Sequence, residues 1–315
     1  MKTLIALIAA LFASSAFADE KCALHQIASL DMKQLSDGRV VVPVTIDGSQ
    51  QMMSLSVSAP VSFLYEEFGS VHHIPVAKML NATAYGAAMA STTPIYVVPE
   101  FSIGSAHSKN VQFAKYPRPP GVSDGLVGDL SLDLLATFDV DLDFRNNKLN
   151  LFSRDHCKGK VVYWADFYTS LPFTTDHSGH PNFKMQLDGK ELSVDFNMHR
   201  MRSAMGMLTA KRIFGIDEST PGLMPVTDSR TGRLSGYHYM FKSLGLGGLT
   251  IGNPDVFLYP QQAECSTAAD YQGLKVVRCF GTSEMDIGLM EIKQLHLYFA
   301  FAEKTLYLTA ADAHH

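Results

Sequence analysis

Basic excess is absent from this sequence: 26 lysines and arginines stand against 31 aspartates and glutamates, a formal net charge of −5. No stripe of positive charge is available to hold a phosphate backbone, so nucleic acid is excluded as a partner. Low-complexity runs are missing, and only one tryptophan and four cysteines occur in 315 residues. No Cys-x-x-Cys spacing is present, which argues against a structural zinc site. A second long apolar run is missing too. The one such run, Thr3 to Phe12, follows Met1-Lys2 and precedes the small residues Ala13 to Ala18. That order of charged, apolar and small residues is the pattern of a secretory signal peptide, with cleavage expected after Ala18. The run is far short of the roughly 20 residues a membrane span needs, so no span is expected in the mature chain. Removing residues 1–18 takes away one charge, Lys2, and leaves a net −6 on a chain long enough for a large core or two lobes.

What the sequence does contain is a repeat. Gly48 to Leu64 returns without a gap from Gly189 to Met205, 141 positions later, with Leu55 on Phe196, Ser56 on Asn197 and Ser62 on Ser203. Each copy follows an alternating stretch that ends in Asp-Gly, Val42 to Asp47 and Phe183 to Asp188. Alternation, Asp-Gly and a second apolar stretch read as a β-hairpin. Further short apolar or alternating stretches follow, among them Pro94 to Pro99 and Asn110 to Phe113. Leu244 to Gly247 and Asn253 to Val256 repeat the later part of this in the second half, so the repeated unit is a whole lobe.

A hairpin whose second strand runs into small polar residues resembles the aspartic proteases of the retropepsin and pepsin type, in particular bacterial exported proteins with two such lobes. The resemblance covers most of residues 40–151 and 181–310. It implies an all-β fold of two related β-barrel lobes with a cleft between them and short helices. The implied domains are residues 22–157 and 158–311. In that family the second strand leads into Asp-Thr-Gly or Asp-Ser-Gly, and the two aspartates share a proton and activate water. Here the positions read Ser56-Val57-Ser58 and Asn197-Met198-His199. Neither Ser56 nor Asn197 can take a proton from water near neutral pH.

The lobes also close alike, with Leu126-Val127-Gly128 in the first and Asp286-Ile287-Gly288 in the second resembling the family's apolar-apolar-Gly crossing segment. Asp286 departs from the usual apolar residue. By the same resemblance Ser58, Gly128, His199 and Gly288 are expected to line the cleft, and Tyr85 sits where a flap would reach over it. The four cysteines allow three pairings. Cys22 with Cys157 would tie the ends of the first lobe, and Cys265 with Cys279 would close a short loop in the second.

Three functional readings follow. The leading one is a catalytically inactive pseudoprotease, periplasmic or secreted, that keeps a groove for an extended peptide and needs no cofactor. The second is an active endopeptidase with a displaced acid, Asp195, two positions before Asn197 and so on the same face of the strand. The third is copper handling through Met198, His199 and Met201, whose thioethers and imidazole are soft to borderline ligands. Trp164, near the lobe junction, is expected to pack rather than to bind.

Overall fold

The computed structural model describes residues 22–80, 93–175, 179–229, 231–260, 265–269, 275–279 and 283–313. Residues 1–18, expected to be a leader, Tyr85, expected at a flap, and the terminal His314 and His315 lie outside the described residues.

The first lobe opens with β1 (Gln26–Asp31), β2 (Lys33–Gln34), the hairpin β3 (Val40–Ile46) and β4 (Ser49–Leu55), then β5 (Phe63–Tyr65) and α1 (Glu66–Val71). After β6 (Val76–Leu80), β7 (Thr93–Ile103) and β8 (Ala106–Tyr116), it finishes with β9 (Leu126–Leu130), α2 (Leu132–Leu135), β10 (Asp139–Asp143) and β11 (Lys148–Phe152). The second lobe repeats that order with β12 (Thr169–Thr175), the hairpin β13 (Pro181–Leu187) and β14 (Lys190–Phe196), β15 (Ser203–Gly206) and α3 (Met207–Phe214). Its middle holds β16 (Met224–Thr227), β17 (Leu234–Met240), β18 (Ser243–Leu246), β19 (Leu249–Gly252), β20 (Asp255–Tyr259), β21 (Cys265–Ala269) and β22 (Lys275–Cys279). It closes with β23 (Met285–Ile287), α4 (Leu289–Ile292), β24 (Leu295–Ala300) and β25 (Thr305–Ala310). The architecture is all-β, with short helices.

The sequence repeat is a structural one. Both strands of the β3–β4 hairpin map without a gap onto β13–β14. Their turns are built alike: Asp47 and Gly48 take φ of 46° and 78°, and Asp188 and Gly189 take 47° and 74°. Two successive positive φ values match the right-handed twist of the flanking strands, the geometry that selects Asp-Gly. Alternation decides the faces. In β13, Phe183, Met185 and Leu187 are buried while Lys184 and Gln186 face solvent.

Each lobe then makes the same crossing. β9 lies parallel to β4 and antiparallel to β5, and β23 lies parallel to β14 and antiparallel to β15. The lobes join through a shared sheet ordered β1-β11-β10-β24-β25-β12, with β10 and β24 antiparallel at its centre. Every residue of those two strands is buried. Asp139 and Asp141 survive there because each has polar partners: His156 and the Phe301 N–H for Asp139, and His296, Asn150 and Tyr163 for Asp141. Trp164 stacks on His296 at 4.1 Å and donates its indole N–H to Thr309. It is a packing residue, as expected.

Candidate functional site

The site is built where each hairpin's second strand ends. Ser56 N–H donates to the Leu130 carbonyl at 3.0 Å, and Asn197 N–H donates to the Ile287 carbonyl at 2.8 Å, so both loops hang from their crossing strand in the same way. The Ser56 hydroxyl accepts the Ala59 N–H at 2.9 Å, and Asn197 Oδ1 accepts the His199 N–H at 3.1 Å. Both side-chain oxygens are therefore spent on capping their own loops. Beneath each loop a second device is duplicated. The Ser62 hydroxyl accepts the Ser131 N–H and donates to Asp133, and the Ser203 hydroxyl accepts the Gly288 N–H and donates to Glu291. Burial pushes both carboxyls, Asp133 and Glu291, above the usual range.

The crossing strands supply residues that sequence reasoning did not bring together. Asp129 pairs with Ser54 on β4 and with Phe63 on β5, whereas Asp286 pairs with Asp195 on β14 and with Ala204 on β15. Asp129 and Asp286 thus occupy equivalent places in the two lobes. Gly128 and Gly288 do not: Gly288 corresponds to Ser131, and Gly128 to Met285. Both glycines are buried at backbone crossings, where an added Cβ would fall 2.0 Å from the Phe63 carbonyl oxygen and 2.2 Å from the Arg202 carbonyl carbon. Their place is a close strand approach, not an open wall.

Three carboxylates surround the second loop. Asp286 Oδ2 lies 3.1 Å from Arg200 Nε and 3.3 Å from Asn197 Nδ2. Asp129, 1% exposed, reaches across the lobe boundary to His199 Nε2 at 3.2 Å. Asp195 lies behind Asp286, held by the Ser283 hydroxyl at 3.1 Å and within 3.3 Å of His180 Nε2. Burial first, and then the adjoining Asp286 carboxylate, push the Asp195 acid up to about 8.

A stability prediction follows from this acid. The unfolded chain releases the proton near the ordinary aspartate value of about 4, so from there to about 8 the folded chain holds one proton more. Its contribution to stability is complete below pH 4 and is lost as pH rises through that window, by up to about 1.4 kcal/mol per unit. Asp195→Asn, of the same shape and uncharged, is expected to match wild type near pH 4 and to exceed it at pH 8. Urea midpoints at pH 4, 6 and 8 check this. Equal slopes with pH in the two proteins would show that Asp195 is ionised in the fold.

The three side chains of the copper reading, Met198, His199 and Met201, have different surroundings. Met198 is buried in the core at 1% exposure, His199 faces Asp129, and Met201 lies against Gly38 and Gln34 of the first lobe. Those three side chains diverge, and among the described residues no group of three or more His, Cys, Asp or Glu is placed to hold a metal ion. Ser58 is half-buried, with its N–H 3.4 Å from the Ser56 hydroxyl.

No protein-family model matches the chain, and no curated protein matches it. Among solved structures, soybean basic 7S globulin is similar at 8% identity and a TM-score of 0.48, covering 92% of this chain and 96% of that one. An aspartic proteinase from Irpex lacteus is similar at 13% identity and a TM-score of 0.47, covering 90% and 97%. A retropepsin-like aspartic protease from Rickettsia conorii matches 42% of this chain and 96% of its own length, at 16% identity and a TM-score of 0.30. The fold and site define a class by the chain's own duplication: a two-lobed all-β protein.

Proposed function

We propose that this is an exported pseudoprotease whose lobes, 22–157 and 158–311, hold an extended peptide in the cleft between them without cleaving it. The observation that carries the reading is the state of Ser56 and Asn197. They stand at equivalent points of two duplicated loops, carry no carboxylate, and use their side-chain oxygens to cap N–H groups of their own loops. Backbone pairing with an extended peptide needs exposed strand edges rather than an acid. The leader at residues 1–18, the Cys22–Cys157 disulfide and the absence, among the described residues, of a helix long and apolar enough to cross a membrane support export to the periplasm or beyond.

A second reading keeps activity and moves it. Asp195 adjoins Asp286 across the β14–β23 register, burial and that carboxylate push its acid up, and a displaced acid of that kind is what a residual endopeptidase would use.

Binding tests the first reading. Titration calorimetry with extended peptides is expected to show saturable binding, weakened when prolines at alternate positions remove the N–H groups that pair with a strand edge. Equal binding of the proline-substituted peptides would rule out backbone pairing, and no binding by any peptide would remove the function.

A further inference from the structure

The loop that in the resembling family presents an acid presents nitrogen donors in this chain. His199 and Arg200 follow directly on Asn197, and each is held by the equivalent aspartate of a different lobe: His199 by Asp129 at 3.2 Å and Arg200 by Asp286 at 3.1 Å. Asp129 is buried, so the first contact anchors the second lobe's loop onto the first lobe. Through the second contact Nε of the guanidinium faces Asp286, and 45% of the Arg200 side chain remains open to solvent. A guanidinium carries five N–H groups in a planar fork, and engaging Nε toward one carboxylate leaves the outer pair of the fork for another.

We infer that Arg200 is a ligand-reading residue, selecting a carboxylate on the peptide that the cleft takes up, with Asp286 and the His199–Asp129 contact holding it in position. This rests on the peptide-binding reading above and adds the chemistry of the occupant: an extended peptide with a carboxylate at the cleft floor, borne by an acidic side chain or by a free C-terminus. Arg202, held by Asp255 at 2.7 Å and 46% exposed, adds a second positive charge on the same loop.

Fluorescence anisotropy with a set of matched peptides of about eight residues tests the assignment. One carries a central Glu and an amidated C-terminus, one a central Gln and an amidated C-terminus, and one a central Gln and a free C-terminus. For a half-exposed, charge-assisted contact, wild type is expected to bind one of the carboxylate peptides about tenfold more tightly than the neutral one. The peptide that gains identifies the source of the carboxylate. In Arg200→Gln the preference between carboxylate and neutral peptides should vanish, and in Arg200→Lys, which keeps the charge without the fork, it should fall between. Equal affinity of wild type for acidic and neutral peptides overturns the proposal and leaves the peptide cleft standing. A preference that survives in Arg200→Gln overturns it too. Failure of all three peptides to bind removes the cleft reading, and this one with it.

Discussion

An unfolded protein substrate incubated with the purified wild type is expected to remain intact from pH 3 to pH 8, with or without pepstatin. General acid–base catalysis contributes about 10²–10⁴-fold for each positioned group. Removing members of a catalytic unit costs on the order of 10⁶. On the pseudoprotease reading Ser56 and Asn197 stand at the two dyad positions, and neither side chain can act as a base there. Restoring Ser56→Asp and Asn197→Asp is not expected to recover activity. Val57-Ser58 and Met198-His199 fill the turn that glycine ordinarily permits, and Met198 is locked into the core. The place to look for residual chemistry is the Asp195–Asp286 pair. Asp195 is 6% exposed, so its proton would reach a substrate by way of a neighbour: Asp286, whose side chain is 25% exposed beneath Arg200, or His180, 3.3 Å away and 21% exposed. Wild type, Asp195→Ala and Asp286→Ala assayed side by side decide the matter. Cleavage by wild type that disappears in either variant would replace the pseudoprotease reading by the displaced-acid one.

The hairpins and the loops at their ends were legible because they depend on local rules. Alternation sets the buried face, Asp-Gly sets the turn, and the two copies keep one spacing from Gly48 to Leu64 and from Gly189 to Met205. The crossing strands were not legible in the same way. Asp286 follows Asp129 by 157 positions rather than 141, since the middle of the second lobe is longer, and a gapless comparison cannot bring them together. Reading on glycine instead places Gly128 with Gly288, three residues out of step with the strand registers. The one available signal was chemical. An aspartate between apolar residues of a buried strand needs a partner, and Asp129 and Asp286 both stand so. Their partners, His199 and Arg200, are adjacent in sequence yet reach into different lobes, which only the packing of the lobes decides.

The other large effect expected is on stability, from the bridge between Cys22 and Cys157. These residues are 135 positions apart, with Cα atoms 4.7 Å apart, and the bridge lies just outside the ladder in which Gln26 of β1 pairs with Phe152 of β11. The ladder holds the ends of the first lobe together only in the folded chain. The disulfide also holds them in the unfolded chain and so removes loop entropy that folding would otherwise have to overcome. For a loop of this length the chain-entropy estimate is about 5 kcal/mol, against total stabilities of about 5–15 kcal/mol for folded domains. Cys22→Ser/Cys157→Ser is therefore expected to lose most of its stability, read as a fall in the urea midpoint together with a steeper slope as the unfolded chain expands. A loss under about 1 kcal/mol would show that the unfolded chain is already compact enough to keep those ends close. Unreduced peptide mapping of the wild type adds the second half of the framework. Cys265 stands opposite Cys279 in the β21–β22 ladder, the arrangement expected of a bridge inside the second lobe. Recovery of Cys157 linked to Cys265 instead would break the proposed division of the chain at residue 157.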